Sequence, residues 1–148
     1  MTPYTIILFV VCISAILIKA TYEHALRKGQ RIYIRQNGHC IAAGDKRAED
    51  FSFFSALRFE TMRIVFDDGV YAEIFSVEPH KIIVSVQDIL DMSQAIFKRP
   101  LSNIKLIIHN HLENAAFSEC DKEMFGELRR LGWRGKFLLW HRGEISEL

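Results

Sequence analysis

Two histidines close an apolar run, Lys105 to Ile108, in the stretch Ile107-Ile108-His109-Asn110-His111. Side chains alternate faces along a strand, so His109 and His111 point the same way and Asn110 the other. Asp121 follows, at the start of an amphipathic pattern of Met124, Phe125, Leu128 and Leu131. A strand end thus offers imidazoles, a loop turns back, and a helix start offers a carboxylate. Two histidines and one carboxylate are three zinc ligands, and the fourth tetrahedral position is left for water. That is the layout of a hydrolytic zinc site. The same residues admit a plainer reading. Paired histidines arise by chance, Asp121 can be an acid that only favours the helix dipole, and Ser118 can be only the N-cap of Ser118-x-x-Asp121.

His109-Asn110-His111 followed by Ser118-x-x-Asp121 resembles the motif of the JAMM (JAB/MPN+) metallopeptidases. The Asn between the histidines is typical of the RadC-like bacterial branch. Phe59 to Gly69 resembles the glutamate-bearing first strand and turn of that branch. Ile82 to Leu90 resembles the passage before the motif, and Phe137 to Ile145 the closing hairpin. Two departures stand out. Leu112 occupies the place of the family's usual Pro, and the spacing from His111 to Asp121 is one residue short of the usual one.

The resemblance implies a zinc-dependent peptidase or isopeptidase that hydrolyses an amide with metal-activated water. His109, His111 and Asp121 would hold Zn2+. Glu60 would be the general base, with Glu73 as the reserve candidate and Glu78 and Glu113 behind it. Ser118 would donate to the tetrahedral oxyanion. The implied partner is a protein or peptide substrate, including a ubiquitin-like tail. Read without the resemblance, Glu60 is an ordinary exposed acid ending a helix. A catalytically inactive JAMM-like scaffold and a membrane-anchored interaction module are the rival readings.

These residues need a scaffold. The 148 residues are enough for one good core, and 49% of them are hydrophobic. A net charge of +1 gives no electrostatic footprint for nucleic acid, and none is expected as a partner. Cys12, Cys40 and Cys120 form no Cys-x-x-Cys pair, which excludes a disulfide framework or a zinc ribbon. Cys120 reads as a small apolar filler. His24, His39, His80 and His141 read as surface residues.

The expected fold is α/β (α+β), a mixed β-sheet flanked by helices and JAB/MPN-like, after an N-terminal apolar helix. Arg31 to Arg35 and His39 to Ile41 alternate as strands around the turn signal Asn37-Gly38. A helix is expected from Gly44-Asp45 to about Phe59, on the spacing of Phe51, Phe54 and Leu57. Met62 to Phe66 and Val70 to Val77 are strands around the turn Asp67-Asp68-Gly69. Lys81 to Val86 is a β-branched strand. Ser85-x-x-Asp88 caps a helix carrying Ile89, Leu90, Ile96 and Phe97. Asn103 to Ile108 is the histidine strand, Ser118 to Leu131 a helix closed by Gly132, and Lys136 to Trp140 and Glu144 to Leu148 a last hairpin.

Three regions are expected: 1–22 as a transmembrane anchor, 23–44 as a linker with a short hairpin, and 45–148 as the JAB/MPN-like domain. Tyr4 to Ile18 is almost continuously apolar, and extension to Tyr22 gives it the length of a span. Lys19, Arg27, Lys28, Arg31 and Arg35 follow it, which puts the domain in the cytoplasm by the positive-inside rule. A cleaved signal peptide is the alternative, with a secreted or periplasmic domain.

Overall fold

The computed structural model describes residues 32–36, 39–44, 47–75 and 82–148. The anchor expected at 1–22, residues 23–31 and 37–38 of the linker, and Glu78 and His80 lie outside these residues. Among the described residues no helix is long and apolar enough to cross a membrane.

The fold is mixed α+β around a seven-stranded sheet with the order β1-β2-β4-β3-β5-β6-β7. The strands are β1 Ile32–Gln36, β2 His39–Gly44, β3 Thr61–Phe66, β4 Tyr71–Phe75, β5 Ile104–Asn110, β6 Lys136–His141 and β7 Glu144–Glu147. All pairs are antiparallel except β5 and β6, which run parallel. A parallel pair needs a crossover, and α2, Glu119–Arg130, supplies it. The shorter α1, Val86–Asp91, continues as one π turn over Met92–Ile96.

β3 is buried along its whole length, because it lies at the middle of the sheet with both faces covered. Met62, Ile64 and Phe66 face Ile107, Phe137 and the helices, through Val86, Ile89, Met92 and Leu128. Val65, Leu106, Ile108 and Leu138 face the other way, against Phe54 and Ala48. Both α-helices therefore cover one face, and the segment 47–57 covers the other.

That segment is not the expected helix. Only Ser52–Ala56 turns, as a 3-10 helix. The reason is Arg63, which is buried between the rings of Phe53 and Tyr71 at 3.8 and 4.4 Å. Its guanidinium donates to the carbonyls of Arg47, Ala48 and Asp50, at 3.2, 3.1 and 2.9 Å. Carbonyls turned toward a side chain cannot serve a helical ladder. The expected strand 81–86 also fails to form. Residues 82–85 carry no strand pairing, because both edges of β3 and of β5 are already occupied. The run instead feeds α1, where Ser85 and Asp88 complete the expected capping box.

The expected boundary between residues 44 and 45 does not separate two bodies. β2 pairs with β4 from Cys40↔Phe75 to Gly44↔Tyr71, so the β1–β2 hairpin extends the same sheet.

Candidate metal centre

The crossover geometry brings the chemical residues together. A β-α-β unit returns the helix N-terminus to the carboxyl end of the strand before it. Asp121, in the first turn of α2, therefore meets His109 and His111 at the end of β5. His109 lies opposite Met62 in β3. Continuing that antiparallel register by two residues puts Glu60 opposite His111, on the same face.

His109, His111 and Asp121 form a group that could hold a metal ion, with one ligand atom of each inside 4.8 Å. The two Nε2 atoms are 3.2 Å apart. Asp121 spans them, with Oδ1 3.1 Å from His109 Nε2 and Oδ2 3.4 Å from His111 Nε2. Tetrahedral zinc with bonds of about 2.0–2.1 Å separates its ligands by about 3.3 Å. The two Nε2 atoms are at that separation, and the Asp121 carboxylate faces both, one oxygen toward each. Converging lone pairs also need positive charge between them, from protons or from a cation.

The surroundings fix these atoms unevenly. Asp121 Oδ2 accepts from the Ser118 N–H and from Ser118 Oγ, both at 2.7 Å. Ser118 Oγ in turn accepts from the Asp121 N–H at 3.2 Å, completing a capping box. The Ser118 hydroxyl is thereby committed to Asp121, in the capping role that the motif also allowed. His109 is held by packing between Phe117 and Phe137, with ring centroids at 6.1 and 5.5 Å. Among the described residues, Nδ1 of both histidines is buried with no hydrogen-bond partner.

Charge follows the geometry. Burial opposes the Asp121 charge, but the hydrogen bonds from His109 and His111 outweigh it and hold the carboxyl well below the usual range. The hydrogen bond to Asp121 raises His111 above its ordinary value, against its burial, with help from the charges of Asp121 and Glu60.

A cleft of about 510 Å³ opens over the group, and Glu60, His109, His111, Ser118 and Asp121 line it. Its far wall is the extended segment Ile82–Val84, where Ile83 is 62% exposed. The Ile82 N–H donates to Glu60 Oε2 at 3.3 Å. Cys120 also lines the cleft and is exposed, so it is no core filler. Glu113 stands exposed at the same cleft.

Glu73, the reserve base, does not belong here. It is 0% exposed and lies across from Arg63, on the opposite face of the sheet. Arg63 Nε donates to its Oε1 at 3.0 Å. A buried pair of this kind costs about 3–5 kcal/mol to break from one side, so its role is structural.

Two contributors were not foreseen. Asn110 Oδ1 accepts from the Thr61 N–H at 2.7 Å and its Nδ2 donates to the Phe59 carbonyl at 3.2 Å. That bracket holds the backbone on both sides of Glu60. His141, expected on the surface, bonds through Nδ1 to the His111 carbonyl at 2.9 Å. The His111 N–H donates to the Trp140 carbonyl at 3.2 Å. Both peptide groups of His111 are thus clamped by β6, which supplies rigidity just before Leu112. Neither contact has a local signal, since each joins residues about 30 or 50 apart in the chain.

No protein-family model, no curated protein and no solved structure matches the chain.

Proposed function

We propose that the chain is a zinc-dependent amide hydrolase, a metallopeptidase or isopeptidase of the JAMM type. The observation that supports this best is the convergence of His109, His111 and Asp121, with one ligand atom of each within 4.8 Å of the others and the two Nε2 atoms 3.2 Å apart. In this reading His109 Nε2, His111 Nε2 and an Asp121 carboxylate oxygen hold the ion. Bound zinc supplies a water whose pKa falls toward ~7. Glu60 takes the proton at its carboxylate and returns it to the leaving amine. Its place opposite His111 and the Ile82 N–H on Oε2 keep that carboxylate at the cleft wall. Met62, Ile82 and Val84 give the cleft apolar flanks against which a peptide can lie.

The substrate is a protein or peptide chain, with a ubiquitin-like tail as one form of it. The apolar stretch Tyr4 to Ile18 would tether the site to a membrane with the domain in the cytoplasm. One observation favours the inactive scaffold instead: the Ser118 hydroxyl is turned to Asp121 and away from an oxyanion role.

The decisive experiment is metal analysis of the purified full chain beside Asp121→Asn. The expected result is stoichiometric zinc that the variant loses while staying folded. A folded wild-type chain that takes up no zinc from a zinc-containing buffer would sink the hydrolase reading.

A further inference from the structure

Another hollow adjoins the cleft over the metal-binding group at His111, with walls from the opposite face of the sheet. This second cleft, of about 400 Å³, shares His111 and Leu112 with the first. Phe54, Leu57 and Trp140 give this second cleft an apolar, aromatic wall, and Arg142 lines it as well. The Phe54 and Trp140 rings pack on each other at 5.7 Å, so the wall is built and not left to loose side chains.

Arg142 occupies the first turn position of the β6–β7 hairpin, with φ 49° ahead of Gly143 at 94°. A turn of this hand favours Asn, Asp or Gly there, so an Arg is held at a conformational cost. Arg63, Arg99, Arg129 and Arg134 all donate to carboxylates or carbonyls. Arg142 has no hydrogen bond or ion pair among the described residues. The hairpin that carries it is pinned to the ligand strand by the His111–Trp140 and His111–His141 bonds. Charge is divided between the clefts. Glu60, Glu113 and Asp121 line the first, while Arg142 is the fixed charge of the second. A substrate carboxylate finds a fixed cation in the second cleft at Arg142.

We propose that the second cleft receives the C-terminal residue of the substrate. Its apolar side chain packs on Phe54, Leu57 and Trp140, and its free α-carboxylate pairs with the Arg142 guanidinium. The proposal rests on the amide-hydrolase reading and narrows it to removal of a C-terminal amino acid with an apolar side chain. The C–N bond before that residue breaks, and the water oxygen bonds to the acyl carbon. Both water protons end on the leaving nitrogen, giving a shortened peptide carboxylate and a free amino acid with an ammonium group. A planar guanidinium can take both carboxylate oxygens at once, which an amide cannot match.

The test uses the full chain, with and without added zinc, and Arg142→Gln. N-acetyl-L-leucine and N-acetyl-L-leucinamide are titrated by calorimetry. Hydrolysis of acetyl-alanyl-leucine and of its C-terminal amide is followed in parallel. We expect the acid to bind about tenfold or more tighter than the amide, and to be cleaved with a lower KM. Arg142→Gln should abolish that difference without changing zinc content, and Arg142→Lys should restore part of it. Equal binding of acid and amide, no binding of either, or an acid preference that survives Arg142→Gln overturns the proposal. So does a preference that vanishes with zinc removal alone, which would put the carboxylate on the metal. Acid-selective binding without any hydrolysis would keep the subsite and overturn the hydrolase reading. Hydrolysis indifferent to the C-terminal carboxylate would do the reverse.

Discussion

At His111, protons and a bound metal ion would compete for the same nitrogen. The hydrogen bond to Asp121 raises the His111 pKa, burial lowers it, and the charges of Asp121 and Glu60 add to the rise. A zinc ligand must be the neutral imidazole. The ordinary histidine value is about 6.5, and His111 lies above it, so zinc would compete with a proton there from a higher pH than at an ordinary imidazole. Apparent zinc affinity should therefore fall as pH drops through the raised value, by about tenfold per pH unit for one displaced proton. Zinc titrations of the full chain with a competing chelator, on either side of neutrality, check this. A flat affinity across that range would mean that His111 Nε2 is not a ligand. The pair was legible in the sequence because strand alternation alone puts His109 and His111 on one face. Glu60 was legible only through resemblance, since its partner His111 is set by the β3–β5 register, which no local pattern encodes.

The element that completes the group is the N-terminus of α2. Ser118 and Asp121 use the four-residue spacing of a capping box, so the chain's local preference already aims the carboxylate outward from the first turn. The same Asp121 carboxylate then serves both the cap and the histidines. Replacing Ser118 with Ala should cost about 1 kcal/mol of stability. It should also weaken zinc binding, because Asp121 Oδ2 loses a donor that orients it. Thermal unfolding and zinc affinity measured on the same variant separate the two losses. An unchanged zinc affinity would show that packing alone orients Asp121. Elements with their own signals were read correctly from sequence: the hairpin at Asp67-Asp68-Gly69, the α2 cap, and its close at Gly132, where φ is 92°. The misread ones depend on distant partners. Phe51, Phe54 and Leu57 sit at helical spacing, but the backbone there answers to Arg63 in β3. Ile82–Val84 has strand composition, but the sheet has no interior edge left for it.

For the whole molecule, the metal group lies where one sheet face meets the crossover helix, so its occupation bears on the stability of the entire domain. Without metal, two titrations act in opposite directions. His111 is raised on folding, so its contribution is complete below the unfolded value and is lost as pH climbs through the folded one. Asp121 is lowered on folding, so its contribution is complete above about pH 4 and is lost as pH falls through the folded value. The metal-free chain should therefore be most stable in mildly acidic solution. Zinc held by the group would reverse the upper limb, since it would bind the neutral His111 and replace the missing positive charge. Zinc at a hundredfold excess over its Kd adds about 2.7 kcal/mol, which for a domain of this size raises Tm on the order of 10 °C. That gain should be largest in mildly alkaline solution and shrink toward acid, where protons displace the ion. Melting curves of the full chain with zinc and with a chelator, across this pH range, test both limbs together, with Asp121→Asn as the control. A zinc-dependent rise of equal size in Asp121→Asn would place the stabilising ion somewhere other than His109, His111 and Asp121.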